Sequence, residues 1–148
     1  MNELIQQNLE SLRIIPLYEN NSYSEFKEGK RSYLSRTWDT NKKKCVILMN
    51  DPSTADDIND DTTIKRCISI CKNNDYGGIQ VYNINHLFDD IQGNEVVIAW
   101  GNLISKKESK KIVIRLRNTY RLLCFSKLKN GNPGLPTRLQ SSTIITPF

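Results

Sequence analysis

The 148-residue sequence has no apolar run close to the eighteen or so residues of a membrane span, and it opens without the charged-then-apolar pattern of a secretory leader. These absences predict a cytoplasmic chain with no membrane partner. Histidine is almost missing. His86 is the only one, which excludes a catalytic pair of histidines and weakens any zinc site. The four cysteines, at 45, 67, 71 and 124, form no CxxC pair, and each falls in an apolar stretch where a thiol behaves as a small buried hydrophobe. Neither a disulfide framework, a metal nor a cofactor is expected. The phosphate-cradling GxxxxGK[ST] and GxGxxG loops are missing, as are HExxH and GxSxG. Gly77-Gly78 alone reads as a turn after a helix. The reading therefore leans away from an enzyme.

What is present is an ordinary apolar content of 38% and charged content of 25%, enough for one compact domain over residues 1–148. The net charge of +5 is unevenly spread. Lys106 to Lys129 holds nine Lys or Arg against one acid, Glu108, whereas acids gather at 51–61. Such asymmetry calls for an anionic partner near the C-terminal half. A nucleotide phosphate and a nucleic-acid backbone satisfy it equally.

Periodicity predicts the architecture. Leu4, Ile5, Leu9 and Leu12 make a helical stripe that Pro16 ends, and the polar stretch 19–31 reads as a loop. Ser32 to Trp38 alternates as a short N-terminal edge strand. Cys45 to Met49 is apolar on both faces, as a central parallel strand covered on both sides must be. A helix follows with Ile64, Cys67, Ile68 and Cys71 on one stripe, then strands at 79–84 and 95–100. A second helix over Ser105–Arg117 and a strand over 121–126 precede a tail rich in Gly, Pro, Ser and Thr. The expectation is an α/β fold: a single-domain three-layer sandwich around a mostly parallel four-stranded sheet, with residues 1–30 as an N-terminal helix and loop.

In open parallel sheets, ligands bind beyond the carboxyl ends of the strands. The polar segments of this chain fall there. Asn50-Asp51-Pro52-Ser53-Thr54 pairs the fixed φ of Pro52 with an amide, a carboxylate and two hydroxyls, and Pro52 holds Asp51 extended. Asp61 precedes a helix and suits its positive end as a cap, while Arg66 can reach back toward a carboxylate or phosphate. Asn83 and Asn85 offer amides to a base edge. Trp100 with Asn102 combines an aromatic plane with an amide, the pair that commonly reads a base. Lys127 and Arg138 bring positive charge from the last loop.

Tyr33-Leu34-Ser35-Arg36-Thr37-Trp38-Asp39, Met49 to Asp56, Asp60 to Cys67, Tyr76-Gly77-Gly78 and Ala99-Trp100-Gly101 resemble, in that order, the bacterial and phage proteins grouped as domain of unknown function 1643. The likeness runs over roughly 31–148. Asn50-Asp51-Pro52 is also similar to the Asp-Pro or Asn-Pro motif of the uracil-DNA glycosylase superfamily. That second resemblance implies a water-orienting Asp51 and base-reading Asn83 or Asn85. Leu135 stands where the resemblance implies a histidine, Asp51 where it implies an asparagine, and the 89–94 segment is shorter than in the family.

The leading expectation is a protein that binds a nucleotide-like small molecule without turning it over. The phage members add sequestration of a host nucleotide immune signal in the host cytoplasm. The alternatives are an N-glycosidic hydrolase with Asp51 as its catalytic group, and a nucleic-acid-binding module that uses Lys106–Lys129. Homo-oligomerisation is left open.

Overall fold

A computed structural model describes residues 22–27, 30–50, 61–84, 91 and 93–148. Among these residues seven strands form one sheet: β1 (Ser22–Lys27), β2 (Lys30–Thr37), β3 (Lys44–Met49), β4 (Gly78–Asn83), β5 (Glu95–Ile98), β6 (Arg121–Cys124) and β7 (Thr146–Pro147). Their spatial order is β1-β2-β4-β3-β5-β6-β7. Two helices, α1 (Thr62–Asn73) and α2 (Lys106–Arg117), connect β3 to β4 and β5 to β6.

The α/β class stands, and the sheet differs from the one expected. The pairs β3–β4, β3–β5 and β5–β6 are parallel. Antiparallel β1 and β2 extend the sheet on one side and β7 on the other, which makes it mixed and seven-stranded. β2 is an interior strand, bonded to both β1 and β4, where an edge strand was expected. β1 occupies part of the stretch read as a loop, and β7 lies in the tail. The helix expected over residues 2–13 lies outside the described residues.

Strand β3 explains the layering. Successive side chains of a strand point to opposite faces. Cys45, Ile47 and Met49 join one buried cluster with Ile64, Cys67, Ile68, Ile70 and Cys71 of α1. Val46 and Leu48 join another, with Leu116 of α2 and, at its margin, Ile112 and Val113. The two helices therefore cover opposite faces. Burial is close to complete on both, because a strand clad twice has no face left for a polar side chain. All four cysteines are buried and none forms a disulfide. The Cys71 thiol is raised well above its ordinary value, first by its hydrogen bond with Cys45 and then by burial.

Local signals set the helix limits. The Asp61 carboxylate accepts from the Ile64 N–H at 2.8 Å, satisfying one of the orphan donors of the first turn of α1. Ser105 does the same for the Glu108 N–H of α2 at 3.2 Å. After α1 the chain turns through Asp75, in the left-handed region at φ 66, and reaches Gly77. The Gly77 carbonyl accepts from both Trp38 N–H (2.9 Å) and Asp39 N–H (3.0 Å), and a side chain there would run into the Asp39 backbone.

Candidate functional site

The parallel strands run in the order β4-β3-β5-β6. From β3 the chain passes through α1 to β4 on one side, and β5 then lies on the other side of β3. The order reverses between β3 and β5, and the helices that follow them, α1 and α2, cover opposite faces. Such a switch point opens a crevice that neither helix can fill.

Several of the nominated residues stand at this rim. Asn50 follows β3, half-buried. Asn83 closes β4, is 5% exposed and pairs in register with Met49. Ladder bonds continue past the strand ends, from Ile84 N–H to the Met49 carbonyl and from Ala99 N–H to the Leu48 carbonyl (3.0 Å), so the tips of β3, β4 and β5 are held level. Asp61 starts α1 just beyond the β3 loop, and Arg66 lies half-buried one turn further on. Asp51, Ser53, Thr54 and Asn85 lie outside the described residues, as does His86.

The rest of the set divides. Trp100 is fully buried, with its indole N–H donated to Ser109 Oγ at 2.9 Å, so it belongs to the core under α2 and presents no face for stacking. The pairing of a large apolar ring with a small buried hydroxyl on the first turns of α2 accounts for that position. Asn102 is exposed, and its side-chain oxygen accepts from Asn130 (2.9 Å) and Asn132 (3.4 Å). It works as one jaw of a clasp. Arg138 is exposed at φ 70.

The clasp centres on Asn132, a residue the sequence reading did not nominate. Its amide, 2% exposed, donates to the Gly101 carbonyl (3.1 Å) and the Ile104 carbonyl (2.9 Å), and the Gly101 N–H donates to the Pro133 carbonyl (2.7 Å). The loop after β6 is thereby tied onto the loop after β5. Gly101 has φ 61, and a Cβ there would stand 2.9 Å from Leu135 Cγ. Leu135, where the resemblance implied a histidine, therefore packs beside the tip of β5 as an apolar wall.

Lys127 goes elsewhere. With Lys106, Lys110 and Arg117 it lines a hollow of about 280 Å³ along α2, and its ammonium lies 4.6 Å from the ring centre of Phe148.

Arg36 was also missed. It is completely buried in β2, and its guanidinium donates to the Ser35 carbonyl at 2.9 Å. Its register partners, Ser22 and Ile79, place it near the opposite end of the sheet from Asn83. Alternation could have flagged it: Leu34 and Arg36 share one face, and a charged residue at an inward position is rare unless fully hydrogen-bonded.

The fold is a doubly wound α/β core with a topological switch point between β3 and β5. Residues 31–92 match the family model described as protein of unknown function (DUF1643), the family that the motifs resemble, over a shorter segment than the 31–148 of the sequence likeness. No curated protein and no solved structure matches the chain.

Proposed function

We propose that the protein binds a nucleotide-like small molecule at the crevice between the carboxyl ends of β3 and β5, and that binding without bond cleavage is its function. The observation that carries this reading is the β4-β3-β5-β6 order, in which the winding reverses between the parallel neighbours β3 and β5, with Asn50 following the one and Ala99 the other. Two features add to it. Asn83 places an amide at the tip of β4, and an amide both donates and accepts, as the edge of a base requires. The clasp at Asn132 fixes the β5 side of the rim, and a ligand meets least ordering cost where the walls are already rigid. In a phage-infected cell such a protein, in excess over a nucleotide signal and over its Kd, would deplete that signal by mass action.

Isothermal titration against adenine, guanine and ADP-ribose nucleotides tests the reading, with chromatography of the same mixtures afterwards. The expected result is saturable binding of at least one ligand, recovered intact. Failure of all three classes to bind removes the proposal, and release of free base would replace it with N-glycosidic cleavage.

A further inference from the structure

The hollow along α2 adjoins the clasp that braces the rim, through Asn130 and Asn132, and has its own chemistry. Lys106, Lys110, Val113, Ile114 and Arg117 fall at helical spacings of three and four, so they form one stripe about 16 Å long at 1.5 Å per residue. Lys127 and Phe148 make the facing wall. Among the described residues, no aspartate or glutamate pairs with any of these four cations; Glu108, the one acid of α2, pairs with Lys111 instead.

What gathers Lys127 and Arg117 is an aromatic ring. They lie 4.6 Å and 5.7 Å from the centroid of Phe148, and Arg117 also donates to the Phe148 carbonyl at 2.9 Å. A ring face attracts cations without cancelling their charge, as a carboxylate would. Lys127 thus leans on the ring with no acid of the described residues beside it, while Arg117 is also held by the Phe148 main-chain oxygen. The floor of this groove, Val113 and Ile114, is apolar, and Ile114 is 67% exposed.

We propose that this groove is a second binding site, one that takes a single-stranded nucleic acid. A cationic track with apolar surface between the charges matches a chain of phosphates alternating with base faces. A duplex presents only phosphates to such a wall and leaves the floor unused. An anionic membrane calls for several bulky apolar side chains on one helix face, and Ile114 is the one exposed large hydrophobe of α2.

Fluorescence anisotropy of the full chain with labelled oligothymidylate and oligouridylate tests it, across a salt series and beside a duplex and phosphatidylserine vesicles. At about −0.7 per neutralised phosphate of a single strand, four cations predict a log–log salt slope of about −3. Lys110→Glu and Lys127→Glu, both at exposed positions, are expected to weaken binding for every sequence and flatten the slope by about 0.7 or more. Phe148→Leu is expected to weaken it about two- to fivefold by releasing both cations from the ring. No binding, a slope near zero, or wild-type affinity in both charge-reversal variants overturns the proposal. Duplex bound as tightly as single strand, or vesicles bound in place of oligonucleotide, overturns it equally.

Discussion

Asn132 offers the sharpest test of how the rim is held. Its amide reaches two backbone carbonyls, at 2.9 and 3.1 Å, from a side chain that is 2% exposed. Asn132→Ala removes both donors and leaves the carbonyls of Gly101 and Ile104 without them. A buried acceptor stripped of its partner costs about 1–3 kcal/mol. The Ile104 bond is only partly buried, so a combined loss of about 2–3 kcal/mol is expected. For a chain of this size that lowers Tm by about 5–10 °C. Urea denaturation followed by tryptophan fluorescence gives the same quantity as a shifted midpoint with an unchanged slope. Asn132→Asp keeps the shape and lacks the donors, so it should lose at least as much as alanine. A loss below about 0.5 kcal/mol in both variants would show that the loop after β6 is held by something other than this amide.

Three further outcomes are expected. Gly101→Ala should destabilise by about 1–2 kcal/mol or more, since φ 61 disfavours a side chain and the added Cβ meets Leu135; equal stability in a thermal melt would refute the strain. Ser109→Ala should cost about 1–3 kcal/mol by orphaning the Trp100 indole N–H, whereas Ser109→Thr, if its methyl fits, should retain the bond; wild-type stability in the alanine variant would refute it. Stability should also fall in alkali. Tyr76 is raised first by burial, and Cys71 by its Cys45 bond and burial, so the folded state keeps protons that the unfolded state releases. Their contribution is intact below the ordinary thiol value of about 8.5 and is lost progressively above it, through the phenol range near 10. A urea midpoint constant from pH 7 to 10.5 would contradict this.

How legible each element was depends on how much of it is buried. β3 is apolar at five consecutive positions because both faces are clad, and such a run has few other readings. Helix α1 announces itself by a buried stripe and by Asp61 at its cap, and α2 by Leu116 with the partly buried Ile112 and Val113. β1 gives no such signal: Tyr23 and Phe26 are each about half exposed, and the register shifts between Glu25 and Phe26. Its order comes from pairing with β2, which is tertiary. β7 is two exposed residues, too short for any period. At the candidate site, chain position correctly put Asn50 and Asn83 at strand ends, because the end of an apolar run can be read directly. Trp100 and Asn102 were harder, since their partners, Ser109, Asn130 and Asn132, are brought to them by folding.

Strand β7 ends the sheet with Pro147, and proline has no N–H to offer an incoming strand. That edge is therefore a poor template for adding further chains, which guards it against fibril growth. The same two residues set the height at which Phe148 enters the α2 groove, its N–H held by the Leu122 carbonyl at 2.9 Å. Replacing Pro147 to lengthen the strand would thus loosen the anchor beneath two cations while opening a sticky margin.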